Sequence, residues 1–105
     1  MAKKKKIPSA MRDLVLERDG FMCVYCLRTG ELEADHVIPE SDFGHTHPDN
    51  LVTSCEWCNS RKGQIDLDLF CIYVARRGLG GGDARRIEER VLGQLAIYIE
   101  WPPKK

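Results

Sequence analysis

The 105-residue sequence has no apolar run long enough to span a membrane, no signal-type apolar segment behind its opening lysines, and no excess of charge of either sign. The first absence excludes a transmembrane helix. The second gives no ground for a secretory leader, so an intracellular protein is expected. The third, 16 Lys and Arg against 16 Asp and Glu, removes bulk charge as an argument about partners. A polyanion would have to be met by local basic clusters instead. Such clusters are present in "AKKKKIP", "SRKG", two "ARR" triplets and "PPKK". The opening run, residues 1–7, reads as a flexible basic tail. There is no internal repeat beyond paired cysteines, and the length suits a single domain spanning 1–105.

Those cysteines are the strongest local signal. Four of the five fall in two C-x-x-C pairs, "CVYC" (Cys23, Cys26) and "CEWC" (Cys55, Cys58), with 28 residues between them. Structural disulfides are disfavoured in a reducing compartment, so grouped cysteines there more often hold metal. A two-residue gap lets one tight turn offer two thiolates to one ion, and two such turns complete a tetrahedral zinc site. Four thiolates leave no open position for water, so this zinc is expected to be structural. It would clamp the ends of the intervening loop. Cys71, in "LFCIYV", has no partner pair and reads as a small buried apolar residue.

Around these pairs the pattern predicts a short series of elements. "PSAMRDLVLERDG" is helical, with Ser9 as cap and Gly20 as terminator. "LEADHVI" is a short strand stopped by Pro39, and "LVTSC" a second one. The segment between them is rich in turn formers. A helix is expected from "CEWCNSRKGQ", then a buried helix over "LDLFCIYVARR", apolar nearly all round. "ARRIEERVLGQLAIYIEW" reads as an amphipathic helix capped by Asp83, with Ile87, Val91, Leu95 and Ile99 on one stripe and Pro102 as its stop.

The order "DHVIP", "PDNLVTSC", "CNSRKG", interleaved with the cysteine pairs, resembles the HNH endonucleases of ββα-metal fold. The likeness covers about residues 18–64, somewhat under half of the chain. It implies an α+β fold: a small zinc-stabilised ββα-metal core with flanking N- and C-terminal helices, the C-terminal extension covering about 66–101. It also implies roles. His36 corresponds to the general base that activates water. Asp35 beside it and Asn59 correspond to ligands of a catalytic divalent ion. Asparagine at position 59, where many relatives carry histidine, makes this an H-N-N variant. Its hard amide oxygen favours Mg2+ or Mn2+. Asn50 corresponds to the residue that braces the loop and orients the histidine.

The same residues have plainer meanings. Asn50 is also a good turn former, and Asn59 a good helix cap. His45 and His47, in "GHTHP", are short of ligands for a metal site and read as exposed loop residues. Arg61 and Lys62 are either helix-surface charges or phosphate contacts. As a nuclease the chain would meet DNA mainly through phosphates, at Arg61, Lys62, the lysine tail, Arg85 and Arg86, with strong salt dependence. A partner protein or a second copy could dock on the C-terminal helices. Two other functions fit part of the pattern: a zinc-stabilised nucleic-acid-binding module without catalysis, and an interaction adaptor using "LDLFCIYVARR" as its contact face.

Overall fold

The computed structural model describes residues 7–104. The lysine run at the start lies outside the described residues. The chain forms a small α+β unit: α1 (Ser9–Arg18), a hairpin of β1 (Leu32–His36) and β2 (Leu51–Cys55), then α2 (Glu56–Lys62), α3 (Leu67–Arg76) and α4 (Ala84–Leu95).

Helix α1 begins at Ser9, with Pro8 in the capping position and no side-chain cap bond. The expected Ser9 cap is therefore the first helical residue. The helix ends as expected, with Gly20 at φ +69°. Here the amides of Gly20 and Phe21 fold back onto the carbonyls of Glu17 and Leu16. A residue without a Cβ adopts this left-handed turn at least cost.

β1 and β2 pair antiparallel, with Leu32 opposite Cys55, Asp35 opposite Val52 and His36 opposite Leu51. The strand ends at His36, two residues earlier than "LEADHVI" suggests. The cause is Asn50, whose backbone carbonyl takes the Val37 amide and whose Oδ1 takes the Ile38 amide at 2.9 Å. Side-chain bonding thus replaces the ladder before Pro39 is reached.

Two apolar clusters sandwich the hairpin. Met11 and Val15 of α1 meet Leu51 and Ala34 on one face. On the other, Val52 and the cysteine pairs join Tyr25, Phe70, Val74, Ile87 and Val91. The α1 side is pinned by a buried Arg18–Asp19 ion pair of 2.7 Å. Its arginine bonds the carbonyls of Pro48 and Leu51, and its aspartate accepts from the Thr53 amide at 2.8 Å.

Two helices differ from expectation. α3 buries Phe70, Cys71 and Val74, whereas Leu69 is 55% and Ile72 41% exposed. It packs by one face on α4 instead of being enclosed. α4 stops at Leu95, and the segment beyond it turns so that Ile99 and Trp101 pack against the α1 cluster. Burial against this second core outweighs continuing the stripe. Asp83 caps α4 as expected, accepting from the Arg86 amide at 2.9 Å.

Candidate active site and metal centre

Cys23 and Cys26 sit in the turn between α1 and β1; Cys55 ends β2 and Cys58 lies in the first turn of α2. The hairpin register brings these turns together, and the four sulfurs lie within 4.8 Å of one another, all buried. Cys26 and Cys55 sulfurs are 3.6 Å apart. A tetrahedral ion with bonds of about 2.3 Å to sulfur requires neighbouring sulfurs at about 3.8 Å. The donor set therefore fits a four-thiolate site closely. The Cys58 amide donates to the Cys55 sulfur at 3.4 Å, as a helix N-terminus does for a thiolate. Without a cation the cluster does not support four thiolates together. The hydrogen bond from Cys58 holds Cys23 down to about 5, the same bond holds the Cys58 proton on, and burial pushes Cys26 up to about 11. Cys71 lies apart from the cluster, its thiol pushed up to about 12 by burial.

Beside this centre, β1 has one partner strand among the described residues, so its other edge borders a cleft. Pleating sends Glu33 and Asp35 to one face and Ala34 and His36 to the other. Yet a cleft of about 250 Å³ is lined by Ile7, Arg12, Glu33, Ala34, Asp35, His36 and Asn59. A sheet edge is reached from both faces, so neighbouring side chains on a regular strand can serve one space. The outward carbonyls of β1 are taken by cations: Leu32 O by Arg12 at 3.4 Å and His36 O by Lys62 at 2.9 Å. Such caps also shield the edge from pairing with another chain.

Asp35 is 7% exposed and His36 9%. His36 Nε2 lies 2.9 Å from the Thr46 hydroxyl and 3.9 Å from Glu40 Oε1. Asn59 is in the interior of α2, not at its cap, a position held by Cys55. Its Nδ2 donates to Glu33 Oε2 at 2.6 Å. Asn50 is 4% exposed and clasps the loop, donating from Nδ2 to the carbonyls of Ile38 (3.1 Å) and His45 (2.9 Å). Asp35, Asn59 and Glu33, whose side-chain oxygens are hard donors of the kind Mg2+ and Mn2+ prefer, line this same cleft.

Lys62 is not where a surface phosphate contact would be. It is 1% exposed, with its ammonium 3.3 Å from Asp35 Oδ2. Asn59 and Lys62, three residues apart, share the face of α2 that turns toward β1. Lys62→Met is expected to destabilise the fold by about 3–5 kcal/mol, because it strands a buried carboxylate. Urea unfolding checks this; a loss under about 1 kcal/mol would contradict the ion pair's structural role.

Arg61 remains exposed, its guanidinium 4.4 Å from the Trp57 ring centre, with Arg28 over the same ring at 5.4 Å. Arg85 is paired with Glu89 at 3.1 Å on the surface. Arg12 and Glu33 had no motif to reveal them. Arg12 reaches a cleft built around a strand 20 residues further on, and only folding joins the two.

No helix among the described residues is long and apolar enough to cross a membrane. The HNH endonuclease family model matches residues 23–64. The CRISPR-associated endonuclease Cas9 of Corynebacterium diphtheriae is 29% identical over 79 residues, covering 71% of this chain and 7% of that protein. The crystal structure of the Type II-C Cas9 enzyme from Actinomyces naeslundii superposes with a TM-score of 0.55 at 22% identity. That match covers 93% of this chain and 12% of the other, and at this identity it speaks to the fold. The chain thus spans a small fraction of the length of either relative. Together with the cysteine-clamped hairpin and helix, these similarities support an HNH family assignment for residues 23–64.

Proposed function

We propose that this chain hydrolyses phosphodiester bonds in DNA at the free edge of β1, with a divalent ion held by Asp35 and Asn59. The observation that carries this is the lining of one cleft of about 250 Å³ by Asp35, His36 and Asn59. When bound, a hard divalent ion supplies charge relief on the phosphate and the leaving oxygen. His36 takes a proton from the attacking water. In the tautomer that donates Nε2–H to Thr46 Oγ1, 2.9 Å away, basicity rests on Nδ1. Glu40, 3.9 Å from the ring nitrogen, favours the imidazolium that results. Asn50 keeps the loop, and with it Thr46, in register against the ring. Lys62 orients the Asp35 carboxylate from the protein side. Arg12 and Arg61 supply positive charge for flanking phosphates. The four cysteines hold structural zinc and do no chemistry on the substrate.

Nicking of supercoiled plasmid by zinc-loaded protein tests this. Cleavage is expected with Mg2+ or Mn2+ and not without added ion. No cleavage with either ion, at low salt and high protein, would sink the nuclease proposal. The burial of Asp35 against Lys62 favours a second reading, a nucleic-acid-binding module without catalysis. That reading expects a salt-sensitive gel shift and intact plasmid.

A further inference from the structure

The loop between the strands carries a cluster that the cleft does not use. His45, His47 and Asp49 present three potential metal-ligating atoms within 4.8 Å of one another. Asp49 Oδ1 faces both rings, 2.6 Å from His45 Nε2 and 3.0 Å from His47 Nδ1. The rings stand nearly perpendicular, at 87°, with centres 6.0 Å apart, so the imidazoles converge on the carboxylate from different directions. His47 is extended (φ −153°, ψ 150°), which lets alternate residues share a side.

We propose that His45, His47 and Asp49 form a second metal site, separate from the four-cysteine centre and from the cleft, for a transition ion such as Zn2+, Ni2+ or Co2+. Two imidazoles and one carboxylate select such borderline ions over Mg2+. With bonds of about 2.1 Å, neighbouring donors around the ion lie about 3.0–3.4 Å apart. The His47 to Asp49 spacing already meets this, and the His45 to Asp49 spacing must open by about half an ångström. The His45 and Asp49 side chains, 65% and 58% exposed, have room for that, and the ion would displace the Asp49 amide that now donates to His47 Nδ1 at 3.2 Å. Three protein ligands leave positions open to water or to an exogenous donor. Thr46, between the two histidines, meets His36, and the His45 carbonyl accepts from Asn50. An ion here would stiffen the loop that contacts the His36 ring, although its binding does not depend on the nuclease proposal.

The test is calorimetric titration of Zn2+ into full-length protein already carrying one equivalent at the cysteines. A further equivalent is expected in the wild type. His45→Ala, which removes an exposed side chain that bonds Asp49 and stands against the His47 ring, and the milder His47→Gln should each weaken it at least about tenfold. Binding of the first equivalent should stay unchanged, which reports an intact fold. The proposal is overturned if the wild type takes up no second equivalent, or if both variants bind it as tightly as the wild type, which would place the ion elsewhere.

Discussion

His36→Ala is expected to lower metal-dependent plasmid nicking by about a thousandfold while leaving zinc content unchanged and lowering the melting temperature by only about 5 °C. A positioned general base contributes roughly 10²–10⁴ in rate, so its loss should remove most of the measurable activity. The cost to the fold is modest. The ring meets the Thr46 hydroxyl at 2.9 Å and Glu40 at 3.9 Å, and one hydrogen bond is worth about 1 kcal/mol. The residues that order the loop, Asn50 and the Arg18–Asp19 pair, do not use the imidazole. Activity and stability should therefore separate cleanly. Cleavage by the variant within about threefold of wild type, under conditions where chemistry limits the rate, would remove His36 as the base. A variant that fails to cleave because it has unfolded is recognised by its melt, and His36→Gln, which keeps a hydrogen-bonding group toward Thr46, then decides the point.

The largest effect on stability is expected at the cysteines. Two strands of five residues and a helix of seven are each too short to be stable alone. The cluster joins the turn before β1 to the junction of β2 and α2, and β1 and α2 both line the cleft. Structural zinc in comparable small sites supplies about 10–16 kcal/mol of apparent binding energy. That rivals the whole stability of a typical domain, about 5–15 kcal/mol. Cys58→Ala, or a strong chelator acting on the wild type, should therefore unfold the hairpin and α2 at room temperature. Loss of amide protection across β1 and β2 would show it, with recovery when Zn2+ is returned under reducing conditions. α3 and α4 have their own contacts through Phe70, Val74, Ile87 and Val91, so residual helicity is compatible with this result. Retention of hairpin protection after complete removal of the metal would contradict the clamp.

The cysteine pairs, both strands and the HNH-like motif were legible because each depends on residue order and spacing. A turn that presents two thiolates, or a strand that alternates faces, leaves its period in the residues themselves. Lys62 was harder to place. Its sequence neighbours Arg61 and Gly63 suggest a surface charge, and only the approach of α2 to β1 turns its ammonium onto Asp35. His45 and His47 looked too few for a metal because the third donor, Asp49, joins them only once Pro48–Asn50 forms its single helical turn. The stripe of Ile87, Val91, Leu95 and Ile99 overstated α4, since periodicity cannot say which of two cores a residue will reach.

The sequence by itself determined that four sulfurs would gather, that a hairpin would lead into a helix, and that Asp35 and His36 would fall near the end of a strand, Asn50 just before the next and Asn59 on the helix. All of this follows from local spacing and turn chemistry. Only the tertiary structure decided that Asp35 and His36 border one cleft from opposite faces of the β1 edge that meets no strand among the described residues, with Arg12, Glu33 and Lys62 around them. The reason is that an edge is defined by what fails to pair with it, and by helices packed from distant parts of the chain, neither of which is encoded within any short stretch of residues.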